Sequence, residues 1–260
     1  MVASRALTLA ALMTTLAGPA AAAGPPFELA VKLDHAFGAS RGTLVIDRDG
    51  VKYRTADRKD AREWSYLDLK QVQVRSTRKI VIASYEDRGR LRLGADRTFE
   101  FELTAGAIDP ELVAFLLERI ERPVVTAVMP PLPLAPQFKL PVKHQRHRRG
   151  SEGNLLIYAT GVAYLTELDQ DARYWRFRDL YSVLPLDRYR LELRAFEGGE
   201  GTRPFIFELK TDLPADVYET LWQRVNRPAL ARDMEAATGR RTAADRRATN
   251  TCALAYIAGR

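Results

Sequence analysis

The sequence predicts a mainly β protein made of two tandem antiparallel barrels, each ending in one helix. Three observations lead there. The chain repeats itself, most visibly as DAREW at 60–64 and DARYW at 171–175. Apolar residues alternate with polar ones at period two through the body of each repeat. A single stretch of helical period then closes each repeat.

A shift of 111 positions lays residues 27–86 on 138–197 without a gap, with 20 identities in 60 aligned positions. Farther along, FEFEL (99–103) aligns with FIFEL (205–209) and LERIERP (117–123) with WQRVNRP (222–228), at slightly smaller offsets. A fixed period on this scale is the mark of a duplicated structural unit. The units run from 27 to 123 and from 138 to 228. Between them 124–137 carries four prolines within seven residues and reads as a semi-rigid linker.

Within the first unit, Leu44/Ile46, Val51/Tyr53, Trp64/Tyr66, Val72/Val74, Ile80/Ile82 and Phe99/Phe101/Leu103 mark strands. RDG (48–50) and ATG (159–161) place Gly50 and Gly161 where a tight hairpin calls for positive φ. Each closing helix has its own signals. Asp109 is a candidate N-cap, Pro110 suits the first helical position, Leu112/Leu116/Ile120 form an apolar stripe, and Pro123 stops the run. The second copy repeats this with Pro214, Val217/Leu221/Val225 and a terminating Pro228. It is five residues shorter before its last strand, where the first copy has RLRL, so six or seven strands per unit are expected.

Ahead of the repeats, 1–23 has the form of an export signal. A lone Arg5 precedes an apolar stretch, Ala6–Ala17, and small residues at 21–23 follow. The expected location is the periplasm or the outside of the cell. The single Cys252 excludes an internal disulfide. Beyond 228, residues 229–260 read as a disordered basic tail.

The run Gly42, Leu44, Gly50, Val51, Tyr53, Trp64, Tyr66, Asp68, Leu69, Val72 returns as Gly153, Leu155, Gly161, Val162, Tyr164, Trp175, Phe177, Asp179, Leu180, Val183. In this run, and in a meander closed by one amphipathic helix, each unit resembles the bacterial pleckstrin-homology-like and GRAM-like domains. The resemblance implies two PH-like barrels in tandem; a pair of lipocalin-like or other small barrels is the competing architecture. Phosphoinositide-binding members of that superfold gather Lys and Arg around the first hairpin. Here the hairpins are Asp47–Gly50 and Tyr158–Gly161, which offer no such cradle.

The residues argue for binding over catalysis. Trp64 and Trp175 read as packing aromatics, and Asp68 and Asp179 as turn-fixing side chains that accept from backbone N–H groups just ahead of them. DRDG (47–50) lacks the further oxygen ligands of a calcium loop, and its twin YATG has no carboxylate. With three His and no P-loop, G-x-G-x-x-G, serine elbow or paired Cys, no enzyme class, metal or cofactor is indicated.

A net charge of +7 permits acidic partners. The densest basic stretch is Lys143, His144, Arg146, His147, Arg148 and Arg149, a candidate anion-binding patch. The leading expectation is a non-enzymatic binding or scaffold module with a protein partner in the cell envelope. The alternatives are a binder of anionic lipid or acidic polymer through 139–149 and the tail, and an enzyme of unrecognised type. No nucleic acid is expected.

Overall fold

The structure is a computed structural model and describes residues 24–35, 38–87, 96–132, 135–146, 150–168, 171–197, 201–231 and 233–234. The expected signal at 1–23 and most of the expected tail lie outside these.

The first unit consists of β1 (Phe27–Asp34), β2 (Ala39–Ile46), β3 (Gly50–Thr55), β4 (Arg62–Ser65), β5 (Leu69–Ser76), β6 (Lys79–Asp87), β7 (Asp96–Leu103) and α1 (Pro110–Arg119). Then comes β8 (Val124–Thr126). The second unit follows with β9 (Phe138–Gln145), β10 (Ser151–Ile157), β11 (Gly161–Thr166), β12 (Arg173–Arg176), β13 (Leu180–Asp187), β14 (Arg190–Ala195), β15 (Arg203–Leu209) and a helix, α2, from 215 to 231.

Strand order is β4-β3-β2-β1-β7-β6-β5 in the first unit and β12-β11-β10-β9-β15-β14-β13 in the second, the same order twice. Both units thus show seven strands among the described residues, and RLRL (90–93) lies outside them. Neither unit closes on itself. β8 pairs in parallel with β5 (Val72↔Val124) and antiparallel with β12 (Tyr174↔Thr126), so all fifteen strands join in one open sheet ending at β4 and β13. The linker thus begins as a buried strand. Pro123 ends the helical path, and the β-branched Val124, Val125 and Thr126 suit extended backbone.

Each unit has its own apolar core, faced by its helix. Leu112, Val113, Leu116 and Leu117 of α1 are buried, with Asp109 accepting from the Glu111 N–H at 2.9 Å as the predicted cap. Val217, Leu221 and Val225 of α2 do the same for the second core. The first core also takes in Leu156, Ala163 and Tyr174 of the second unit, so the units pack directly on each other.

Three local expectations need correction. Tyr66 leaves the strand: Tyr66–Asp68 is a 3-10 turn, and Asp68 accepts backward from the N–H and Oγ of Ser65. Gly50 and Gly161 do not have positive φ; a Cβ there would lie 2.0 and 2.2 Å from the carbonyl oxygens of Trp64 and Trp175, so close strand approach requires them. Pro228 does not stop α2, which runs on through Ala229, Leu230 and Ala231. Good helix formers after the proline sustain the path although Pro228 brings no N–H to it. The helix of the second unit therefore runs on past 228.

Candidate functional site

Both units build the same polar frame from duplicated residues. Tyr53 OH donates to the Ser40 carbonyl (3.0 Å), and Tyr164 OH to that of Ser151 (2.7 Å). Trp64 Nε1 donates to Glu86 at 2.5 Å, and Trp175 Nε1 to Glu197 at 3.0 Å. The tryptophan rings tilt against Phe99 and Phe205 at 4.8 and 4.9 Å. Recurrence in both copies, with both rings buried, marks this frame as packing.

The six-residue basic patch does not assemble as one surface. His144 is buried in β9, with its ring 5.4 Å from Phe205, 5.3 Å from Phe207 and 5.7 Å from Tyr164. Burial, and to a lesser degree Arg146, Arg203 and Arg173, push its pKa down to about 4, so it is neutral at pH 7. Its Nδ1 has no hydrogen-bond partner. His144 is therefore a core residue and no anion ligand; strand alternation, which puts Val142 and His144 on the inner face, explains the burial. Lys143 lies on the other face, across from Glu152. His147, Arg148 and Arg149 lie outside the described residues.

Arg146 reaches a feature that both units build. It lines a cleft of about 450 Å³ where the units meet. The first unit contributes Arg75 and Lys79; the second contributes Arg146, Arg173 and Arg203, with Glu197 between them. Arg146 holds Asp171 through both carboxylate oxygens at 2.9 Å. Arg173 Nε meets Glu197 at 3.2 Å, and Arg203 approaches it at 3.8 Å. On the opposite wall Lys79 and Arg75 share Glu100, at 2.6 and 3.6 Å, and Lys79 holds its carboxyl below the usual carboxylate range. The cations are scattered from 75 to 203, so no local motif announces them.

A second feature joins the units at the far side of β8. Arg176 donates to the carbonyls of Leu117, Ile120 (2.8 Å) and Arg122 (2.9 Å) at the end of α1, while Asp179 grips its Nε and Nη2 at 2.6 and 2.8 Å. Arg178 adds bonds to Leu117 and Ile120. A cation at a helix C-terminus satisfies orphan carbonyls and opposes the helix dipole. Burial pushes the Asp179 carboxyl up, against the pull of Arg176.

A third feature is apolar. Tyr181, Leu184, Leu186 and Tyr189, on β13 and the turn after it, are between 42 and 49% exposed. Their first-unit counterparts at the same alignment are Lys70, Gln73, Arg75 and Arg78.

No family model matches the chain, and no curated protein does. Among solved structures, the chain is similar to the Bacillus subtilis inhibitor of motility MotI/DgrA, at 11% identity over 79% of this chain and 97% of that one, with a TM-score of 0.16. Likeness of that size carries no argument about fold or function.

Proposed function

We propose that the chain is an exported, non-enzymatic binding module of two tandem PH-like units, whose strands stay open where a barrel would close, and that it docks a protein partner on the outer surface of its second unit. The PH-like reading is supported by seven strands in one order per unit and a closing helix. The observation that carries the docking surface is the replacement of Lys70, Gln73, Arg75 and Arg78 by Tyr181, Leu184, Leu186 and Tyr189. The frame is the same in both units, so folding does not ask for apolar residues at these places. Clustered exposed Tyr and Leu are what partner surfaces use.

The occupant is a protein with a complementary apolar side-chain surface, and it does not add as a strand. At the open edge of β13 the N–H and C=O of Val183 are both taken by the Asn226 side chain, each at 2.8 Å. Pro185 has no N–H to offer. Both devices also oppose pairing of β13 with its copy in a second molecule.

The test exchanges the four residues for their counterparts: Tyr181→Lys, Leu184→Gln, Leu186→Arg and Tyr189→Arg. Full-length wild-type and exchanged chains are cross-linked in native envelope preparations, and each is also sedimented alone. One protein captured by wild type and lost on exchange supports the reading. Equal capture by both, or none by either, overturns it. Self-association lost on exchange would make the surface a contact between copies instead.

A further inference from the structure

We infer that the inter-unit cleft is a binding site for a compact ligand carrying two or more oxyanion groups, held between Arg75 and Lys79 of the first unit and Arg146, Arg173 and Arg203 of the second. Its basis is separate from that of the apolar docking surface.

The charge balance comes first. Among the described residues, five cations line or border the cleft and the carboxylates recorded with them are Glu100, Asp171 and Glu197, so the described lining carries more positive than negative charge.

The arrangement of acid and base matters more than the count. Asp171 and Glu197 have side chains only 3 and 5% exposed, whereas Arg146 and Arg203 are 45 and 48% exposed. The carboxylates thus sit behind the guanidinium groups. Each guanidinium has five N–H donors. The two Arg146 contacts recorded to Asp171 both use Nη1. Such a backing fixes the cation in place, so little ordering is needed when an anion arrives. On the facing wall Arg75 and Lys79 are 46 and 38% exposed and share Glu100, which is itself 42% exposed, so this wall has no buried carboxylate behind its cations.

The equivalent mouth of the first unit lacks this construction. Alignment puts His35 at the position of Arg146, Arg62 at that of Arg173 and Arg97 at that of Arg203. His35 bonds Asp60 at 2.8 Å there, as Arg146 bonds Asp171. The frame was therefore already present. Arg146 and the facing wall make the second mouth a cleft that two units must share.

The lining also selects the ligand. Among the described residues, Val74 and Val125 are its apolar contributions and no aromatic ring lines it, which favours a polar ligand over one with a large hydrophobic body or a stacked base. A volume of about 450 Å³ suits a small multivalent oxyanion or one segment of an acidic polymer.

Calorimetric titration of the full chain at low salt tests this, with pyrophosphate and citrate as small probes and a long-chain polyphosphate as the polymer arm. The variants are Arg75→Gln on one wall and Arg146→His on the other. The latter installs the residue that the first unit carries. Arg188→Gln, whose side chain is 76% exposed and outside the cleft, is the control. Each cleft variant should weaken binding about fivefold and the control not at all, and added salt should weaken every case. Tight binding of the small probes identifies a free ligand; binding of polyphosphate alone identifies a polymer. Equal weakening by Arg188→Gln would show a diffuse charge effect. That result, wild-type affinity in both cleft variants, or no binding of any probe overturns the site. Unchanged circular dichroism excludes misfolding of the variants.

Discussion

The outer faces of the two units, built on one frame, have been put to opposite uses. In the first unit the ladder across β2, β3 and β4 is Val45, Lys52 and Glu63, with Lys52 and Glu63 paired at 3.2 Å near solvent. In the second unit the same register holds Leu156, Ala163 and Tyr174, all buried against the first core. One step on, Ser65 becomes Arg176. Asp68, exposed and bonded to Ser65, becomes Asp179, buried and bonded to Arg176. The shared Asp keeps its turn but changes its energetics. In the first unit it caps a turn in water; in the second it anchors a cation that holds the neighbouring helix.

That contrast sets the largest expected effect. Asp179→Ala leaves Arg176 buried without its carboxylate and should cost about 3–5 kcal/mol in urea unfolding. Asp68→Ala, its exposed counterpart, removes one turn cap in water and should cost far less. Equal losses would erase the distinction between the two sites.

The next comparison is His144 with Leu33, both buried at equivalent positions of β9 and β1. The folded pKa of His144, about 4, lies below the unfolded value, so the unfolded chain binds more protons across that interval. Stability is full above pH 6.5 and falls as pH drops towards 4, by about 3 kcal/mol for this residue. His144→Leu should flatten the profile over that window. An unchanged acid slope in the variant would show that other groups carry it.

The smallest effect concerns the sheet edge. β5 is covered at Val72 by β8, while at the equivalent Val183 the Asn226 amide stands in for a strand. Asn226→Ala should cost about 1–2 kcal/mol, since two edge groups lose their partner. The Val183 amide should also exchange hydrogen faster, with distant amides of β15 unaffected. Retained protection at Val183 would mean that another group shields it.

The sequence made some of this legible and hid the rest for physical reasons. The matching build of the two units and their helices followed from gap-free duplication and period, because those patterns are local; the pairing of β1 with β7 and the parting of β4 from β5 are long-range and did not. Asp109 was readable for the same reason. Thr126 and its two valines were not read as a strand, since prolines close behind them dominated the segment. His144 was grouped with the basic residues around it, although alternation with Val142 pointed it inward. The cleft was invisible because its cations lie on separate strands and loops that meet only after the units pack. Arg176 was legible in principle: it and Arg178 stand where the first copy has Ser65 and Leu67, between the shared Trp and Asp of the turn, which is where a duplicated chain records a new contact.

The sealing of β13 has one more consequence. The two free ends of the sheet, β4 and β13, are the counterparts of β12 and β5, the strands that flank β8 inside the molecule. The internal junction is therefore a template that could in principle be used again, end to end, from one molecule to the next. Where the first unit follows its helix with Val-Val-Thr, the second has Ala-Leu-Ala and stays helical. Asn226 and Pro185 close the place that the missing strand would have filled. Together they oppose the pairing of β13 with the open edge of another molecule, the end-to-end contact through which a self-complementary fold grows into a filament.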